Sequence, residues 1–258
     1  MSARSAAELR RGRRIRAVTF DYWNTLVVAY DEALFAKRGD HVRDLLAGAG
    51  YVVTREDVDQ AFAGSWETFQ EAWKANRQHQ TADGVARVLE LLEVPGDDDV
   101  VATELLAHYE SGALESDLTL APNVADTLRA LKAADVRLGI ICDVGMTPST
   151  ALRKVLEEFG VMDLFDHHAF SDDVGVYKPD PSIFAHALEG LGVEPEEAAH
   201  VGDLRRTDVA GANGVGWTSV RYAGLFDDDE DGGEHPDPDG IADHVITDHA
   251  QLPAVLGL

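Results

Sequence analysis

The sequence predicts an α/β fold: a doubly wound parallel sheet with a helical insertion after its first strand. Three observations lead there. Short apolar runs alternate with helix-period segments after Leu118, and most of those runs are apolar on both faces. Between about Asp31 and Glu115 the pattern is helical throughout, with no convincing strand.

The first strand is Ile15–Asp21 (IRAVTFD), β-rich, ending in an acid and followed by the turn-like pair Trp23-Asn24. Helices are expected over Glu32–Ala47, Thr54–Lys74, Ala82–Glu93 and Val100–Ser111, the second opening with the capping-box sequence Thr54-Arg55-Glu56-Asp57. Trp66 and Trp73, seven residues apart on that second helix, read as core packing. After Leu118 the expected order is helix Asn123–Ala133, strand Val136–Cys142, helix Thr150–Phe159, strand His168–Phe170 and helix Pro181–Leu191. Strand Ala199–Gly202, helix Asp208–Asn213, strand Trp217–Val220 and a last strand at His244–Ile246 complete it. Gly211, Gly214 and Gly216 follow a helix instead of opening one, so they read as a helix stop and turn. The organisation is therefore a basic N-terminal extension (1–14), a core formed by 15–29 and 116–258, and a helical insert over 30–115.

The chain has 258 residues and a formal charge of −25. Six arginines (Arg4, Arg10, Arg11, Arg13, Arg14, Arg16) against one acid, Glu8, fall in the first sixteen residues, leaving 16 basic and 46 acidic residues in the rest. So acidic a body repels nucleic acid and anionic membrane, which argues against both as partners. An anionic substrate then needs local positive help. The arginine-rich start lacks aromatics, and a solvated chain end is its commoner reading. Asp227–Gly240 (DDDEDGGEHPDPDG) is a solvated loop, since its acids do not have EF-hand spacing. Cys142 is the only cysteine, which excludes an intramolecular disulfide and a multi-thiolate zinc site. No signal-peptide core or membrane span is visible, so a cytoplasmic location is expected.

In a doubly wound sheet, ligands bind beyond the carboxyl ends of the strands. Four such ends carry suitable groups: Asp21 with Thr25, Cys142-Asp143, Lys178-Pro179, and Gly202-Asp203 with Asp208. A carboxylate attacks a phosphate dianion poorly because both are negative, so a divalent cation and an ammonium must neutralise the encounter. Asp21, Asp203 and Lys178 have the chemistry for that. His200, inside its strand, reads as a core or supporting residue.

The stretches FDYWNTL (20–26), LGIICDVG (138–145), VGVYKPDPSIF (174–184) and HVGDLRRTDVAGA (200–212), in this order, resemble the haloacid dehalogenase-like (HAD) hydrolase superfamily over nearly the whole chain. The resemblance implies a Rossmann-like core with an inserted helical cap domain of the C1 type. It implies a nucleophile at Asp21, forming a covalent aspartyl intermediate. It also implies Mg2+ held by Asp21, Asp203 and the backbone carbonyl of Trp23. Lys178 would screen negative charge at Asp21, and Asp208 would orient Lys178 or a metal-bound water. Thr25, Trp23 and Asn24, with Cys142 and Asp143, would line the substrate. The implied activity is hydrolysis of a small phosphorylated metabolite by a monomer or homodimer.

One departure is chemical. Phosphatases of this family usually carry an aspartate two residues after the nucleophile, and here that residue is Trp23, whose indole cannot exchange a proton. Several alternatives stay open: a leaving group that needs little protonation, a cap residue that supplies the proton, a dehalogenase-like or phosphonatase-like hydrolase of C–X bonds, or a catalytically impaired binding or regulatory protein. Cys142, where Ser or Thr is usual, and Asp143, where Asn is common, bear on the last.

Overall fold

The computed structural model describes residues 14–28, 32–95, 99–112, 117–226 and 241–258. The arginine-rich segment before Arg14 and the acidic loop Asp227–Gly240 lie outside the described residues. Two compact units are present. One comprises the described residues of Met1–Ala29 with Thr119–Asp143 and Phe159–Leu258; the other comprises those of Tyr30–Leu118 with Val144–Glu158.

The first unit is built on six parallel strands: β1 (Ala17–Phe20), β2 (Arg137–Cys142), β3 (His167–Phe170), β4 (Ala198–Gly202), β5 (Thr218–Tyr222) and β6 (His244–Ile246). Their order across the sheet is β3-β2-β1-β4-β5-β6, with helices on both sides. This explains the apolar runs: β1 and β4 are buried along their whole length, because no face of a central parallel strand meets water. Ala17, Ile141, Phe184, Ala198 and Trp217 pack in one core cluster, with the Phe184 and Trp217 rings edge to face at 5.6 Å. Winding reverses between β1 and β4, the crevice where this topology binds ligands.

The second unit contains four helices that follow β1: Glu32–Gly48, Arg55–Lys74, Thr81–Leu91 and Asp99–Gly112. Its core is aliphatic, with Val42, Leu46, Val58, Val88, Leu105 and Tyr109 buried together. The capping box forms as the sequence predicts: the Thr54 hydroxyl accepts from the Asp57 amide, and the Asp57 carboxylate accepts from the Thr54 amide. The expectation of core packing fails for Trp66, which is 46% exposed and leans on Phe69, because the apolar stripe of that helix runs through Val58, Ala61, Ser65, Phe69 and Ala72. Among the described residues no helix is long and apolar enough to cross a membrane.

The helix read at Asp208–Asn213 has a different start. A π-helical turn covers Arg205–Val209 before the α-helix Ala210–Gly214, and the Val209 amide reaches back five residues to the Leu204 carbonyl.

Removing the cap hydroxyl leaves an orphan amide at the start of the longest helix. Thr54→Ala is expected to cost about 1 kcal/mol, read as a lower urea midpoint with an unchanged slope; an identical midpoint refutes it.

Candidate active site

Asp21 and Asp203 follow adjacent strands directly. β1 pairs with β4 in the register Phe20↔Val201, and the Asp21 amide donates to the Val201 carbonyl at 2.8 Å, so Asp21 and, one residue beyond its register partner Gly202, Asp203 emerge at the same edge. Strand alternation then places the supporting groups. His200 and Gly202 share one face of β4, and Gly202 is glycine because a Cβ there would lie 2.2 Å from the Asp208 carboxyl carbon. His200 is the register partner of Thr19 and takes a hydrogen bond from its hydroxyl, with Oγ1 2.8 Å from Nδ1.

Lys178 joins these pieces. Its ammonium is buried, with the side chain 2% exposed, and donates to Asp21 Oδ1 at 2.5 Å, Asp208 Oδ1 at 2.7 Å and the Ile141 carbonyl at 3.0 Å. All three of its donors are satisfied, in fixed directions. Asp208 is held equally firmly, accepting also from His200 Nε2 at 2.8 Å and the Leu204 amide at 3.0 Å. That assigns the Nε2–H tautomer to His200 and leaves Nδ1 to accept from Thr19.

The protonation equilibria follow from these contacts. Burial works against the charge of Asp208, but Lys178 and His200 outweigh it and hold the carboxyl well below its ordinary range. Burial pushes Asp21 up to about 7, with Lys178 opposing and Asp208 adding to the rise. Asp203 is raised well above its ordinary value by burial, then by Asp21 and Asp208. Lys178 is raised despite its burial, because Asp208 and Asp21 flank it. His200 is lowered, chiefly by burial, and is neutral.

Carboxylate oxygens of Asp21, Asp203 and Asp208 all lie within 4.8 Å of one another. This all-oxygen donor set, buried and short of positive charge, fits a hard divalent cation. The loop after β1 is tightly folded: the Asn24 amide donates to the Val27 carbonyl, the Leu26 and Val27 amides donate to Tyr22, and Asn24 takes φ 55°, a left-handed conformation that asparagine tolerates. Trp23 is half-buried with its ring edge-on to Tyr22 at 4.9 Å, and the Thr25 hydroxyl is buried without a partner. Asp143 Oδ1 accepts from the Lys178 amide at 2.8 Å, which pairs the carboxylate that the sequence left in doubt. The Cys142 thiol turns to the carbonyl of Asp143 at 3.6 Å, and burial raises it well above its ordinary value.

Two supporting residues carry weaker sequence signals. His200 was legible as a strand residue, but its bond to Asp208 depends on a turn that the sequence does not announce. His249 lies more than two hundred residues from the loop whose Thr25 carbonyl its Nε2 contacts at 2.9 Å. Its ring packs on Tyr222 at 4.2 Å.

Fold and site together define an α/β protein with carboxylates gathered beyond adjacent strand ends, two of them joined by one buried lysine. A protein-family model described as haloacid dehalogenase-like hydrolase matches residues 15–216. Glyceraldehyde 3-phosphate phosphatase of Pyrococcus furiosus is 32% identical over 246 residues, 95% of this chain and 94% of its own. The crystal structure of a HAD phosphatase from Thermococcus onnurineus is similar at 28% identity and a TM-score of 0.62, covering 94% of this chain and 98% of the other. A 2-haloacid dehalogenase from Pseudomonas syringae pv. Tomato DC3000 gives 26% identity and a TM-score of 0.68 with the same coverage. The chain belongs to the haloacid dehalogenase-like hydrolases.

Burial holds His249 down at about 4. Its folded pKa is therefore below the ordinary value near 6.5, so its contribution to stability is complete above that value and is lost as pH falls toward about 4. The loss is as much as about 3 kcal/mol. Denaturant titrations of wild type and His249→Gln across this window are expected to show a shallower acid-side decline in the variant; parallel curves refute the assignment.

Proposed function

We propose that this hydrolase is a phosphatase that removes the phosphoryl group of a small metabolite through an aspartyl-phosphate on Asp21. The observation that carries the reading is the Lys178 ammonium bonded to Asp21 beside the carboxylate of Asp203. An acid at a strand end is common. An acid held by a buried lysine and placed next to a second acid is a centre for negative charge that needs neutralising. The relatives named as phosphatases support the same reading.

Asp21, Asp203 and the backbone carbonyl of Trp23 would hold Mg2+. When bound, the cation supplies Lewis-acid stabilisation of the charge that builds up between substrate and nucleophile. The remaining tasks belong to the chain. Lys178 aims Asp21 and adds a second positive charge at the point of attack. Asp208, fixed by His200 and the Leu204 amide, keeps Lys178 protonated and in place. The Thr25 hydroxyl and the amide of Trp23 bind the transferring group, the Asn24 amide being spent on the Val27 carbonyl, with Cys142 and Asp143 lining the same strand ends. We take the helical insert over 30–115 as a C1-type cap, the location as cytoplasmic and the chain as a monomer or homodimer. Neither nucleic acid nor membrane is a partner in this reading.

Trp23 gives a second reading its footing. With an indole where a proton donor is usual, leaving groups that depart without a proton are favoured: an acyl phosphate, an activated ester or a halide. The likeness to a 2-haloacid dehalogenase points the same way. The retained Gly202-Asp203 pair favours the metal-dependent phosphatase.

The deciding assay offers p-nitrophenyl phosphate, acetyl phosphate, phosphonoacetaldehyde and 2-chloropropionate, with magnesium or with chelator. Phosphate release that stops on chelation is expected. It should fall at least about a thousandfold in Asp21→Asn; undiminished turnover removes Asp21 from its role. Chloride release without metal establishes dehalogenation instead, and silence throughout leaves a binding protein.

Restoring a proton donor should widen the substrate range. Trp23→Asp is expected to raise hydrolysis of unactivated phosphomonoesters by about a hundredfold. Equal wild-type rates on activated and unactivated esters contradict the leaving-group argument.

A further inference from the structure

The helical unit holds a buried cation that has no carboxylate partner among the described residues. Arg38, on the helix Glu32–Gly48, is 4% exposed. Its Nη2 donates to Thr147 Oγ1 at 3.0 Å, its guanidinium carbon lies 5.1 Å from the centre of the Tyr109 ring, and its buried Nε has no partner. Among the described residues no carboxylate pairs with it. Burial works against the charge, yet a guanidinium does not give up its proton inside a protein. A fixed charge in such a place is costly unless something balances it. In a chain of net charge −25, none of the described acids is paired with it.

The surrounding polar groups are undersatisfied. His108 packs its ring on His41, with centroids 3.7 Å apart and planes at 10°, and its Nε2 is buried without a partner. The Tyr109 hydroxyl is likewise buried and unpartnered. Thr147 accepts from Arg38, so its hydroxyl proton remains available to an acceptor. A purely structural arginine would be expected to spend its donors on carbonyls. This one keeps a donor unused beside other unspent polar atoms.

We propose that Arg38, with the Thr147 hydroxyl and the Nε2 edge of His108, forms an oxyanion-binding site that takes the carboxylate or phosphate group of a small ligand. The guanidinium fork matches either group with two parallel hydrogen bonds, and the Tyr109 face holds its plane. The site lies wholly within the helical unit and involves none of the residues assigned to the Asp21 centre.

His108 is the natural reporter. Burial holds it at about 4, with repulsion from His41 and Arg38 adding to the depression, and a bound anion must lift it. The experiment follows the His108 imidazole by NMR in the full-length, histidine-labelled chain, titrated with sodium phosphate or sodium propionate and with sodium chloride at matched ionic strength. Phosphate or propionate is expected to raise the His108 midpoint by at least about one pH unit, chloride to leave it in place, and Arg38→Gln to abolish the rise. The oxyanion acting at lower concentration identifies the ligand as phosphorylated or carboxylic. A wild-type midpoint unmoved by either oxyanion, or moved equally by chloride, overturns the site without reference to any variant. An undiminished rise in Arg38→Gln overturns it as well.

Discussion

The buried ammonium of Lys178 is the constraint on which the rest of the centre depends. Asp21 follows β1 and Asp208 sits in the π-turn after β4, and both turn toward the same small volume, where two carboxylates would repel each other in a medium that screens charge poorly. Lys178 bonds to both and anchors its third proton on the Ile141 carbonyl. Breaking such a pair by removing one partner costs about 3–5 kcal/mol, because the other charge is left buried and alone. The ion pair therefore fixes geometry more than it adds net stability.

The two acids bonded to Lys178 behave differently because their other neighbours differ. Asp208 spends its remaining capacity on His200 and the Leu204 amide and stays ionised. Asp21 has Lys178 as its one strong positive neighbour, so burial prevails and its proton is held more tightly. A carboxyl that gains strongly from added positive charge suits a cation-assisted nucleophile, and one already satisfied suits a positioning role. The Thr19–His200–Asp208–Lys178 chain links the sheet to Asp21 through successive hydrogen bonds.

Function in this fold is constrained by the site more than by the sheet. Trp23 keeps its backbone in the loop after β1, while its indole has no acidic proton to exchange. The helical unit also buries Arg38, which has no carboxylate partner among the described residues in a chain of net charge −25.

Local periodicity determined much of this protein on its own. Apolar runs fixed the six strands to within two residues at their ends, helical spacing located the four helices of the insert, and the strand-end acids marked the candidate residues. Those signals are legible because they depend on neighbours along the chain. Only the tertiary structure decided that Asp21, Lys178, Asp203 and Asp208 meet, because their convergence depends on the strand order β3-β2-β1-β4-β5-β6 and on the path of the loop carrying Lys178. It likewise decided the π-turn that delivers Asp208 to His200, the exposure of Trp66 and the burial of Arg38. Each of these turns on which distant side chain fills or leaves empty the space beside a residue, and sequence spacing does not encode that.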